Sequence, residues 1–191
     1  MTSRKFHEVI REICGKRVLP LKPQDPRDAA LLEDARQVAA KVCAHLKSEP
    51  IVAARANEVG NRIEPHVREF FNRLSGYEAS VPLGKASGYP DILLEYGGDR
   101  RAYVECKTYN SESLESTFRS FYFSASESFK VTCDAPHLVM GFEIVRISEG
   151  RFRPVGFKMI DAHNLQCTLK EEWNSNNKLL YSLPILAQYR E

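Results

Sequence analysis

The chain has 191 residues, of which 43% are hydrophobic and 27% charged, a composition of globular and not of disordered proteins. Its 27 Lys and Arg against 25 Asp and Glu leave a formal net charge of +2, which excludes a polybasic protein held on nucleic acid by bulk charge. No apolar run approaches the roughly 18–20 residues that cross a bilayer. The first residues carry charges inside their apolar stretch, unlike a secretory signal. Five scattered cysteines (Cys14, Cys43, Cys106, Cys133, Cys167), with no CxxC, read as reduced thiols and point to a cytoplasmic protein away from membranes.

In chain order, residues 3–14 predict a short amphipathic helix, with Ser3 as cap, Phe6, Val9, Ile10 and Ile13 as its stripe, and Gly15 as its end. The three prolines of 18–26 predict a connector. Asp25 and Pro26 then cap and start a second helix, whose apolar residues recur at spacings of three and four as far as Leu46. A third helix is expected from near Ser48 toward Leu74, kinked or divided at Pro65, with the stripe Val59, Ile63, Val67, Phe70 and Leu74. After Gly76 the pattern changes to strands, at 77–82, 91–96, 101–107, 118–124, 137–148 and near 152–160. Residues 97–100, GGDR, supply the turn of a hairpin. Helices followed by a meander of strands predict an α/β or α+β domain.

The stretch Gly88–Asn110 carries the chemistry. Asp91 heads one hairpin strand, and Glu105 and Lys107 stand near the end of the next, so the turn folds Asp91 back beside them. Residues two apart on a strand share a face, which points Glu105 and Lys107 together and Cys106 to the core. Two carboxylates and an ammonium converging at one place need compensation, and Mg²⁺ suits them, since it takes one or two carboxylates and leaves positions for phosphate oxygens. The ordinary alternative is a hairpin with surface ion pairs, Glu105 with Lys107 or Arg101, each worth about 0–1 kcal/mol.

Pro90-Asp91 and Glu105-Cys106-Lys107 resemble the motif of the PD-(D/E)XK nucleases, and most of all the type II restriction endonucleases. They are the chain's only Pro-Asp and only acid-x-Lys pattern. The resemblance implies a restriction-endonuclease-like core, a central mixed sheet flanked by helices. It would be one nuclease domain over 1–191: a mainly helical part, 1–76, a sheet part, 77–164, with the catalytic hairpin at 89–107, and an unassigned part, 165–191. It implies Mg²⁺-dependent cleavage of double-stranded DNA to 5′-phosphate ends, by a homodimer on a palindromic site. Asp91, Glu105 and the Cys106 carbonyl would hold the metal, Lys107 would serve the attacking water, and an upstream helix would add Glu64 or, less favourably, Glu58.

Duplex contacts are expected from the polar and aromatic segment 108–130, through Asn110, Ser111, Arg119 and Lys130. Arg55, Arg62, Arg100 and Arg101 are further candidates. The alternatives are a junction-resolvase-like repair nuclease and a non-catalytic DNA- or partner-binding module on the same scaffold. Asp134, His137, Asp161 and His163 read more readily as turn and strand-end residues than as metal ligands.

Overall fold

A computed structural model describes residues 3–55, 58–84, 88–110 and 129–169. It is an α/β structure built on a curled mixed sheet, the fold class expected. The elements are β1 (Ser3–Lys5), α1 (Phe6–Cys14), β2 (Val18–Leu19), α2 (Pro26–Ser48), β3 (Ile51–Val52) and α3 (Val59–Asn72). There follow β4 (Tyr77–Ser80), β5 (Ile92–Tyr96), β6 (Arg100–Tyr109), β7 (Ala135–Ser148), β8 (Arg151–Asp161) and β9 (Gln166–Thr168). The main sheet runs β3-β8-β7-β6-β5-β4, with β2 added alongside β7. β6 and β7 are parallel, as are β2 and β7, and the other neighbours in this sheet are antiparallel. The strands therefore do not form the simple meander expected, because a parallel pair cannot be closed by a tight turn.

Helix α2 begins as the sequence predicts, with the Asp25 side chain accepting from the Arg27 N–H at 2.8 Å and Pro26 at the first position. One sheet face packs on α2 and α3. Leu31, Val38, Val42, Val59, Ile63, Val67 and Phe71 meet Ile92, Leu94, Val104, Met140 and Phe142 in one core. On the other face α1 lays Phe6 and Ile10 against Tyr103, Ala135 and Ala162. Both faces are covered there, which explains the near-continuous apolar runs of β5 and β6.

Three local expectations are corrected. The first helix starts at Phe6 and not Ser3, because residues 3–5 pair with β9, and Lys5 rather than Ser3 is the cap, its N–H donating to Glu8 at 3.0 Å. The connector contains β2, drawn in by Ala135 and Pro136 of β7. The third helix starts at Val59, since Ile51 and Val52 pair instead with Phe152 and Arg151. It runs on through Pro65, whose ring lies on the exposed side, as does Asn61, the residue whose carbonyl loses its bond. The strand expected at 118–124 lies outside the described residues. Among the described residues no helix is long and apolar enough to cross a membrane.

Candidate active site

The β5–β6 register pairs Ile92 with Val104. One step further places Asp91 beside Glu105, on the face opposite α2 and α3. The Cys106 N–H donates to Asp91 Oδ2 at 2.8 Å, which locks the head of β5 onto β6. Cys106 points into the helix-side core, and its thiol is pushed well up by burial, so it is no nucleophile. Glu105 is only 5% exposed. Its Oε1 accepts a hydrogen bond from Lys107 Nζ, while its Oε2 is buried with no hydrogen-bond donor among the described residues.

Glu64, on α3, lies close enough for its charge to act on Asp91 and Glu105. Burial raises its carboxyl to about 7, with Asp91 as the next cause and Lys107 and Lys130 opposing. Glu105 is likewise raised to about 7, by burial and then by the Asp91 charge. Asp91 is raised by burial, against the Cys106 N–H and the two lysines. Burial pulls the Lys107 ammonium down, but Glu105 and Asp91 together outweigh it and the net shift is upward. Three carboxyls that resist ionising together, beside a lysine that stays charged, make a site short of positive charge. Among the described residues no three Asp, Glu, His or Cys side chains enclose a metal by themselves. The site instead fits a hard cation that takes one or two carboxylates, and the donorless Glu105 Oε2 is the acceptor such a cation would satisfy.

Glu58 is the helix cap residue of α3, and its carboxylate accepts from the Ala54 N–H at 3.2 Å, away from this cluster. Lys130, expected among the duplex contacts, is instead 7% exposed and donates to the Gly88 and Pro90 carbonyls at 2.8 and 3.1 Å. It braces the turn that delivers Asp91. Beneath that turn, Tyr89 hydrogen-bonds His137, and Phe6 meets the Tyr89 ring edge-on at 5.5 Å. Burial lowers His137 to about 3, so it is neutral and gives no charge to the carboxyls. Neither Lys130 nor Tyr89 had a periodic signal in the sequence that marked this role.

The remaining candidates are placed elsewhere. Asp134 accepts from the Arg17 N–H and Nε, each at 2.7 Å, and Asp161 accepts from Leu21 at 3.0 Å and His163 at 2.9 Å. Arg100 is tied to Asp28 at 2.8 Å and Arg101 to Glu95 at 2.6 Å. Asn110 is exposed directly after β6, while Ser111 and Arg119 lie outside the described residues.

Residues 1–184 match the profile of the type II restriction enzyme MjaV family. The chain belongs to this family. It is also 32% identical over 205 aligned positions to the type II restriction enzyme MjaV of Methanocaldococcus jannaschii, covering 97% of this chain and 88% of that protein. Members of the family are type II site-specific deoxyribonucleases, so this chain is a DNA-binding restriction endonuclease. The junction-resolvase and non-catalytic readings give way to that assignment.

Proposed function

We propose that Asp91, Glu105, Lys107 and Glu64 form a PD-(D/E)XK active site that hydrolyses phosphodiester bonds of double-stranded DNA with Mg²⁺. The observation that carries this reading is the half-buried Asp91 beside the buried Glu105, whose Oε2 has no hydrogen-bond donor among the described residues, with Lys107 on the same face. Asp91, Glu105 and the Cys106 carbonyl would hold Mg²⁺, which would stabilise negative charge on the phosphoryl group under attack. Lys107, kept charged by Glu105, donates a hydrogen bond that orients the attacking water. Glu64 tunes the carboxyl cluster by its own charge. Water oxygen bonds to phosphorus, the bond to the 3′ oxygen breaks, and the ends are a 5′-phosphate and a 3′-hydroxyl.

The whole chain is read as one nuclease domain that works as a homodimer, since a two-fold protein matches a palindromic site. DNA as substrate and five cysteines held as free thiols support a cytoplasmic location. The test is plasmid cleavage with Mg²⁺ by Asp91→Asn and Glu105→Gln. Loss of cutting with retained folding is expected; wild-type cutting by Asp91→Asn would overturn the site.

A further inference from the structure

The row of polar side chains on β6 does not stop at Lys107. β6 continues to Tyr109, so Glu105, Lys107 and Tyr109 share one face. Across the sheet, Lys107 is in register with Gly141 of β7, and Gly141 with Lys158 of β8. Paired residues project to the same side, so the two lysines flank a glycine on the face that bears Glu105. Two strand spacings separate them, about 10 Å. A Cβ on Gly141 would stand 3.4 Å from Tyr109 Cε1 and 3.6 Å from Cδ1. Glycine thus lets the tyrosine ring lie close against the sheet between the lysines. Lys158 Nζ sits 5.3 Å from the centre of that ring, and Lys158 is exposed.

We propose that Lys158, seated on Tyr109, contacts a backbone phosphate of the duplex neighbouring the one held at Asp91, Glu105 and Lys107. The proposal rests on the reading of that site as the place of cleavage. An exposed lysine over a half-buried ring is held weakly, so the seat directs the ammonium without withholding it from a stronger anion. Lysine is a compact point charge, suited to a phosphate and carrying no base information. Glu143 bounds the path: it pairs with Tyr109 in the next row, and its Oε2 lies 3.6 Å from where a Gly156 Cβ would be. Phosphates therefore follow the Lys107–Lys158 row and not the row beyond it.

The test uses a fluorescent duplex carrying a cut site mapped with the wild-type enzyme, titrated in EDTA over a series of salt concentrations. Lys158→Gln should weaken binding several-fold and reduce the slope of log K against log salt by about 0.9, the value of one lost phosphate contact. Lys158→Arg should restore the slope, and Tyr109→Ala should follow Lys158→Gln. Glu143→Gln should bind more tightly. Wild-type affinity and slope in a natively melting Lys158→Gln would overturn the proposal. Full cleavage by Asp91→Asn, scored separately with Mg²⁺, would overturn the site reading on which it rests.

Discussion

The Cys106 N–H donates to the Asp91 carboxylate at 2.8 Å, a bond that extends the β5–β6 hairpin beyond its last paired residues, Ile92 and Val104. It fixes Asp91 beside Glu105 and gives the carboxylate a donor that partly offsets its burial. Substitutions at Asp91 therefore divide by whether they keep an acceptor. Asp91→Asn should keep the fold and lose cleavage. Asp91→Ala also strands the Cys106 N–H, at about 1–3 kcal/mol, and should melt below Asp91→Asn by several degrees in a thermal scan.

Glu105 costs stability when it ionises. Its carboxyl titrates at about 7 in the folded chain against 4.5 for the ordinary group. The folded state therefore holds the proton through a window in which the unfolded chain has lost it. Stability from this group is present below about 4.5, falls as pH rises to about 7, and stays low above that. Each pH unit of displacement is about 1.4 kcal/mol. Glu105→Gln should thus raise Tm at pH 8, by about 2–4 °C per kcal/mol for a chain of this size, and the gain should shrink toward pH 5. A lower Tm at pH 8 would contradict the raised carboxyl.

Cation binding should reverse that cost. Mg²⁺ or Ca²⁺ should raise the Tm of the wild-type protein at pH 7–8, by stabilising the ionised carboxylates of the folded state alone. The combined Asp91→Asn, Glu105→Gln variant should show no such rise. Cleavage should increase from pH 6 to 8 as Glu64 and Glu105 lose their protons, with a midpoint that falls as Mg²⁺ is raised. Ca²⁺ should support DNA binding and little cleavage, because its looser coordination positions the reactants poorly. A pH profile independent of Mg²⁺ concentration would count against carboxylates as ligands.

Lys107→Arg should keep metal and DNA binding but lose most of the single-turnover cleavage rate. The charge remains, whereas the planar, forked donors of arginine cannot occupy the place of one compact ammonium beside Glu105. Wild-type rates in this variant would reduce Lys107 to a charge partner.

Lys130→Met should lower Tm and cleavage together. It removes the donor to two carbonyls, Gly88 and Pro90, which flank the turn carrying Asp91. The buried Pro90 acceptor left unmet costs about 1–3 kcal/mol, whereas the carbonyl of exposed Gly88 can turn to water. An unchanged melting curve would show that the bonds contribute nothing to holding the turn.

The sequence by itself determined the centre of this site. The neighbourhood of Asp91, Glu105 and Lys107 follows from a GGDR turn and a two-residue strand period, both local, and any hairpin closed there must bring those residues together. The second helix was equally legible, because Asp25, Pro26 and a long apolar stripe act within one element. Tertiary pairing decided what local propensity could not. Ile51 and Val52 left the third helix for β8, and Glu58 became a capping residue bonded to Ala54, leaving Glu64 as the helix carboxyl at the site. Lys130 exchanged an expected exposed position for the carbonyls of a turn forty residues earlier. The row from Lys107 through Gly141 to Lys158 exists only because β6 and β7 pair in parallel, a register set by burying Val104 and Met140 against the helices and not by any neighbouring residue in the chain.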